Sequence, residues 1–305
     1  MVAFAQGARS QLLYKAQSNF DSVATGDFTK LRYNSHSLAL NKGTVESQEI
    51  RSDREVADFR HSQMNAAGEI SVDLCYADHD TMIANAMFNS WGTDSIDIGV
   101  TPSYLSMEDG QLDIAQYRMF LSMLCSSMSI NVRPNQIVTA SFNMVGKTQN
   151  ANSGSSGGGT AVAASANNPF DSFNGSIYDN AAESGGEMLI VTGMSFQINN
   201  GVNPTFVVGQ QTPQALEFGR GRVTGSVSLY YADAVWLNFH RNETEVPIIL
   251  NLTDPDSNTM EFRFPRCKIN TADVPVQGEG SRVISCNFVA LYDDSVGSAF
   301  KITKG

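Results

Sequence analysis

A chain of 305 residues is long enough for two domains of ordinary size, each with its own core. With 20 Lys and Arg against 31 Asp and Glu, the formal net charge of -11 excludes tight binding to nucleic acid or an anionic membrane, both of which need clustered cations. Charged residues make up only 17%, which fits a protein that covers much of its surface with copies of itself.

Residues 1–27 interrupt their apolar positions with Gln6, Gly7, Arg9 and Ser10 and read as an N-terminal arm, with neither a signal-peptide core nor a membrane span. Next comes a stretch dense in both charges, with Glu46, Glu49, Asp53, Glu55 and Asp58 set among Lys42, Arg51, Arg54 and Arg60. In isolation such a hairpin is a solvated face whose ion pairs contribute little. As an arm, its charges pair with another subunit. Gly68 to Leu74 alternates, placing Ile70, Val72 and Leu74 on one side of a strand. Asp78 is placed as the N-cap of a short helix whose stripe is Met82, Ile83, Ala86 and Met87. Gln116 to Met128 fits either a short helix or a strand.

Between Lys147 and Arg220 there is no Lys or Arg, and residues 151–160 are low-complexity Gly, Ser, Asn and Ala, so 149–186 reads as a flexible linker or loop. Strand alternation returns in Met188 to Ile198, Val246 to Leu252, Met260 to Phe264 and Val283 to Leu291. Asp233 is placed as a second N-cap, ahead of Val235, Trp236 and Phe239. Asp254-Pro255-Asp256-Ser257-Asn258 reads as a hairpin turn.

The two halves repeat. Ser71-Val72-Asp73-Leu74-Cys75-Tyr76-Ala77-Asp78 returns as Ser226-Val227-Ser228-Leu229-Tyr230-Tyr231-Ala232-Asp233, identical at six of eight positions. Upstream, Ser37 to Gly43 matches Ser195 to Gly201; downstream, Ile130-Asn131 then Ile137 to Phe142 answers Ile269-Asn270 then Val283 to Phe288. Three blocks in the same order indicate duplicated structural units. The fold expected is mainly β: two tandem β-sandwich or barrel domains at 28–148 and 187–305, each flanked by a short α-helix.

Chemistry is harder to find. Gly146-Lys147-Thr148 lacks the upstream glycine and the following helix of a phosphate-binding loop. Asp254, Asp256 and Asn258 open like a calcium loop, but Thr259 stands where Gly is needed and Pro265 where Glu is needed. The four Cys have no metal or redox spacing and read as buried free thiols of a reducing cytoplasm. No catalytic, cofactor or metal residues are assigned, and the chain is expected not to be an enzyme.

The run Glu46 to Arg54 followed by Gly68-Glu69-Ile70 resembles the amino-terminal half of tail tube proteins of long-tailed bacteriophages. Ile114-Ala115-Gln116-Tyr117-Arg118 and Ile137 to Phe142 with Gly146-Lys147 are similar to the family's middle. Phe206-Val207-Val208-Gly209, Phe218-Gly219-Arg220, Val223-Thr224-Gly225, Asn242-Glu243-Thr244, Pro265-Arg266 and Val276 to Gly280 resemble its second half.

The resemblance implies a β-rich tube fold whose subunits join into rings and stack into the hollow tail that conducts DNA into the host. Single-domain relatives place six subunits in a ring, so a duplicated chain implies three, with pseudo-sixfold symmetry; the chain's net negative charge makes the expected lumen acidic. The implied partners are the chain itself, the tail terminator, tape measure and baseplate proteins, and passing double-stranded DNA held without tight binding. No membrane insertion and no cofactor are implied. The implied location is the virion tail, assembled in the bacterial cytoplasm. Glu46, Glu49, Arg51, Asp53, Arg54, Glu55, Asp58 and Arg60 are the expected inter-ring contacts. The competing expectation is a monomeric tandem β-domain that binds glycan or protein through exposed aromatic side chains.

Overall fold

The computed structural model describes residues 4–50, 52–53, 55–56, 58–179, 190–276 and 278–305. The first half supplies β1 (Ser10–Ala16), β2 (Thr29–Leu31), β3 (Ser35–His36), β4 (Ala39–Glu46), β5 (Phe59–Asp73), α1 (Asp80–Met87), β6 (Ser95–Asp97), β7 (Leu105–Gln111), β8 (Gln116–Val132), β9 (Thr139–Gly146) and β10 (Thr148–Gln149). The second supplies β11 (Ser176–Tyr178), β12 (Val191–Asn199), β13 (Asn203–Thr205), β14 (Ala215–Glu217), β15 (Arg222–Tyr230), α2 (Val235–Arg241), β16 (Glu245–Thr253), β17 (Thr259–Asp273), β18 (Val283–Ala290) and β19 (Lys301–Lys304). The protein is mainly β.

Strict alternation makes most of these strands. In β9, Ala140, Phe142 and Met144 are buried, while Thr139, Ser141 and Asn143 face outward. In β12 the buried set is Met194, Phe196 and Ile198. β8 breaks the rule: from Met119 to Cys125 every residue is buried, because both of its faces are covered. The stretch 116–128, compatible with helix or strand in sequence, is therefore a strand.

The strand order repeats between the two halves. β4, β5, β9, β8, β7 and β1 pair successively in the first half, all antiparallel. β12, β15, β18, β17, β16 and β11 repeat that order in the second. Phe142 lies opposite Ile70, and Phe288 opposite Gly225. Two parts of the sequence match shift: past a bulge at Ile269/Thr271, Ala272 and Asp273, not Ile269 and Asn270, stand where Ile130 and Asn131 do, and Ser35, not Ser37, faces Ser71 as Ser195 faces Ser226. The second slip, of two residues, keeps every side chain on its own face, so the repeat stayed visible despite it.

The halves share one interior. β12 pairs with β8, setting Ser195 opposite Asn131, and β19 bridges β17 and β6 through Ile302 opposite Phe262 and Ile96. A single buried cluster runs from Ile70 and Phe142 to Phe264 and Phe288. Phe196 is its aromatic centre, with ring centroids 5.0 Å from Phe264 and 5.4 Å from Phe300. Asn200, buried, ties the halves further by donating to the carbonyls of Ala86 at 2.8 Å and Cys125 at 3.0 Å.

Both helices follow the shared Tyr-Ala-Asp, but they begin differently. Ala234 is the residue at the entrance of α2, without a side-chain cap, and Asp233 Oδ1 just before it accepts the Val235 N–H at 2.9 Å. Asp78 does not cap α1. Its carboxylate accepts Arg32 Nη1 at 2.8 Å and the Ser165 N–H at 2.7 Å, and the residue at the helix entrance is His79, without a side-chain cap. His79 is buried; its Nδ1 accepts the Cys75 N–H at 3.3 Å, which leaves Nε2–H to donate to the Arg32 carbonyl at 3.2 Å. Burial lowers its pKa, more than the hydrogen bonds and Asp78 raise it.

Two segments differ from expectation. Residues 10–16, placed in an N-terminal arm, form β1, which pairs with β7 along its whole length. The Gly/Ser-rich stretch is a strap bonded to the first half at successive points. The Gly158 carbonyl accepts the Phe28 N–H at 2.9 Å, Val162 exchanges bonds with Phe28 and Lys30, and Phe170 bonds Leu74 and Val138.

Candidate functional site

Among the described residues no group of His, Cys, Asp or Glu has the arrangement of a metal site, and no helix is long and apolar enough to cross a membrane. All four thiols are free and buried; burial pushes Cys75 and Cys286 up to about 11 and raises Cys125 and Cys267 as well. The features left for function are surfaces: two hairpins, one polar face and two open strand margins.

The charged hairpin tip spans 47–58, between β4 and β5, closed by the Ser47 N–H on the Asp58 carbonyl at 3.0 Å. Glu46, Glu49, Asp53, Glu55, Asp58 and Arg60 are all exposed. Arg60 Nε donates to Asp58 Oδ2 at 2.7 Å, so that pair is formed within the tip. Arg51 and Arg54 lie outside the described residues. Ile50 and Val56 stand exposed among the charges.

The corresponding hairpin of the second half is β13 and β14, with tip 206–214. The tip has no charged residue, and Val207 and Val208 are exposed. It leans on the first half: the Gln211 carbonyl accepts the Met64 N–H at 2.7 Å, and Phe218 stacks edge-on to Phe88 at 4.9 Å. Both tips therefore project from the same end of the sheet.

The side of the sheet turned away from the core is almost entirely hydroxyl and amide. β8 shows Ser127, Ser129 and Asn131 there; β12 shows Ser195, Gln197 and Asn199; β15 shows Thr224, Ser226 and Ser228. These groups bond across strands: Ser195 Oγ with Ser226 Oγ at 2.9 Å, Asn143 Nδ2 to Ser127 Oγ at 3.1 Å, Asn287 Nδ2 to Thr271 Oγ1 at 2.7 Å. The face is hollowed, with a depression of about 430 Å³ over Ser129, Ser195, Thr224 and Asn287. Its charges are few: Glu69, Asp73 and Asp273 against Lys268 and Arg222. Sequence reading followed the apolar half of the alternation and missed the polar half, although its Ser, Thr and Asn were in plain view.

Two margins of the sheet carry no strand among the described residues. β3 and β4 pair with β5 and with no strand on their other side. β17 pairs with β16 only as far as Lys268, so Asn270 to Asp273 are open on that side while β18 holds the other. A groove of about 710 Å³ runs beside β3, lined by Leu31, Arg32, Tyr33, Asn34, His36 and Cys75.

Behind β3 lie two buried acids. Asp109 accepts Arg118 Nε at 2.9 Å and faces His36 Nε2 at 3.5 Å. Burial opposes its ionisation, but these bonds more than offset it and hold the carboxyl below the ordinary carboxylate range. Glu108, on the opposite side of β7, accepts Ser156 Oγ at 2.5 Å and the Gly157 N–H at 2.6 Å, pinning the strap.

A duplicated antiparallel sheet with open margins and projecting hairpins defines an assembly protein. The family model for phage tail tube proteins matches residues 7–290, and the chain belongs to that family. It is a structural component of a virion tail. No curated protein matches the chain.

Proposed function

We propose that three copies close a ring of pseudo-sixfold symmetry, and that such rings stack into the hollow tail of a long-tailed phage through which double-stranded DNA passes on ejection. The observation that carries this reading is the repeated strand order, joined inside the chain by β12 on β8 and left with one open margin at each end. An unpaired margin invites uncontrolled pairing unless it is covered or closed into a barrel. The two margins differ, so copies meet head to tail, a contact that closes into a ring when the rotation per copy divides the circle.

The hollowed polar face becomes the inner wall. Phosphates meet hydroxyls and amides there with almost no fixed cations, so DNA slides without releasing counterions to form lasting contacts. Neutral polarity, more than the net acidity expected from composition, dominates that wall. The hairpin tips 47–58 and 206–214 meet the next ring, with Glu46, Glu49, Arg51, Asp53, Arg54 and Glu55 at the junction beside the Asp58–Arg60 pair formed within the tip. Tail terminator, tape measure and baseplate proteins are the further partners, and assembly takes place in the host cytoplasm.

Averaged end-on electron micrographs of the purified protein test the reading. Rings with threefold symmetry are the expected result. Strict sixfold symmetry, or dispersed monomers at every concentration, would overturn it.

A further inference from the structure

The internal joint between the halves is a template for the joint between copies. β12 adds to the open side of β8 at Ser127 to Val132, with Met194 opposite Val132, Ser195 opposite Asn131 and Phe196 opposite Ile130. Each partner has a counterpart on an open margin. Through β9 and β18, Asn131 opposite Thr139 corresponds to Asp273 opposite Ser285, and Ile130 opposite Ala140 to Ala272 opposite Cys286. Through β5 and β15, Ser195 corresponds to Ser35.

We infer that Thr271 to Val276 of one copy adds as a strand to β3 of the next, with Asp273 opposite Ser35, Ala272 opposite His36 and Val274 opposite Asn34. This rests on the ring reading and adds its register. The occupant is a second copy of this chain, and three observations favour it.

The first is the match of open sides. Among the described residues β17 pairs with no strand beyond Ile269, whose carbonyl meets His240 Nδ1 at 3.1 Å, on the side where β8 receives β12, and β3 pairs with none on the side where β12 meets β8. The second is the groove beside β3, which the incoming 274–276 segment would fill. At the internal joint the same position is filled by the end of β8, where Val132 is 8% exposed; its counterpart Val274 is half-buried at the edge of the core, and Val276, two residues on, is 73% exposed. The third is order in the incoming segment: Arg282 Nη2 holds the Val274 carbonyl at 2.6 Å, and β18 pairs with it as far as Asp273. Strand addition of this kind draws affinity from main-chain bonds and register from the side chains between them.

Cysteine pairing tests the register. Directly opposed residues have Cβ atoms about 4.5–5.5 Å apart, near enough to bridge, whereas a pair displaced along the strand does not. The double variant Ser35→Cys with Asp273→Cys, assembled and mildly oxidised, should give covalent dimers and trimers on a denaturing gel. Ser35→Cys with Asn270→Cys should give none. The native thiols are buried and add little background. Tubes that form normally but bridge only in the displaced pair would overturn the register while leaving the ring intact. Absence of rings from the unaltered protein would overturn the ring reading itself. If the variants fail to fold, amide exchange on the unaltered protein decides: assembly should slow exchange at 34–38 and 270–276, and unchanged exchange there in assembled tubes would overturn the inference.

Discussion

Gly225 and Phe288 face each other across β15 and β18 so closely that the glycine has no substitute. A Cβ at 225 would lie 2.7 Å from Phe288 Cε1 and 2.7 Å from the Ser195 carbonyl oxygen, closer than real contacts allow. Gly225→Ala must displace either a core ring or the backbone of β12. The expected destabilisation is about 1–3 kcal/mol, as for other overpacked cores, read from urea unfolding. An unchanged midpoint would show that the ring moves aside freely.

Glu108 sits 1% exposed with its carboxylate closed on Ser156 and Gly157. Glu108→Ala removes the acceptor and leaves the Gly157 amide without its partner, at a cost of about 1–3 kcal/mol. The strap should lift, and limited proteolysis should then cut within 151–160 several times faster than in the unaltered protein. Equal cutting rates would mean that the bonds to Phe28 and Lys30 suffice.

His79 sets a pH dependence. Burial lowers its folded pKa below the ordinary 6.5, so the unfolded chain binds the proton first as pH falls. The neutral ring's contribution is complete above 6.5 and is lost progressively as pH drops toward the folded value. Melting temperature should therefore be flat above that point and decline below it. The decline should be shallower in His79→Gln, which carries no titrating ring. Identical slopes in the two proteins would remove His79 as the cause.

Reversing both Arg51 and Arg54 to Glu should abolish tube formation by the stacked rings while leaving the subunit folded, with stability within about 0.5 kcal/mol because the tip is a surface loop. Microscopy checks the first part and thermal unfolding the second. Normal tubes from this variant would rule out the charged hairpin as a ring-to-ring contact.

Placing cations on the polar face should convert a passive wall into an adhesive one. Tubes of Ser129→Lys with Ser226→Lys are expected to retain double-stranded DNA at low salt and release it as salt rises, because phosphate contacts trade against counterions. Unaltered tubes should retain little at any salt. Retention by unaltered tubes, or none by the variant, would argue that this face is not the lining.

What the sequence reveals and hides follows from the range of the forces involved. The repeat, both helices and the Asp254 turn were legible because each depends on neighbours a few residues away: Asp254 Oδ1 accepts the N–H groups of Asp256 and Asn258. Asp78 misled because its true partners, Arg32 and Ser165, are 46 and 87 positions distant. β8 hid its identity because burial on both faces erased its alternation. The strap looked like a linker since Gly and Ser carry no periodic signal, and the Glu108 that holds it lies 49 residues from Gly157.

The last strand of the chain, β19, lies between β6 and β17, and Phe300 beside it packs on Phe196 and Phe264. Neither repeat owns its interior, since each lends side chains to the other's. Severed from its partner, either half would expose the side chains the other now covers, so neither is expected to fold alone.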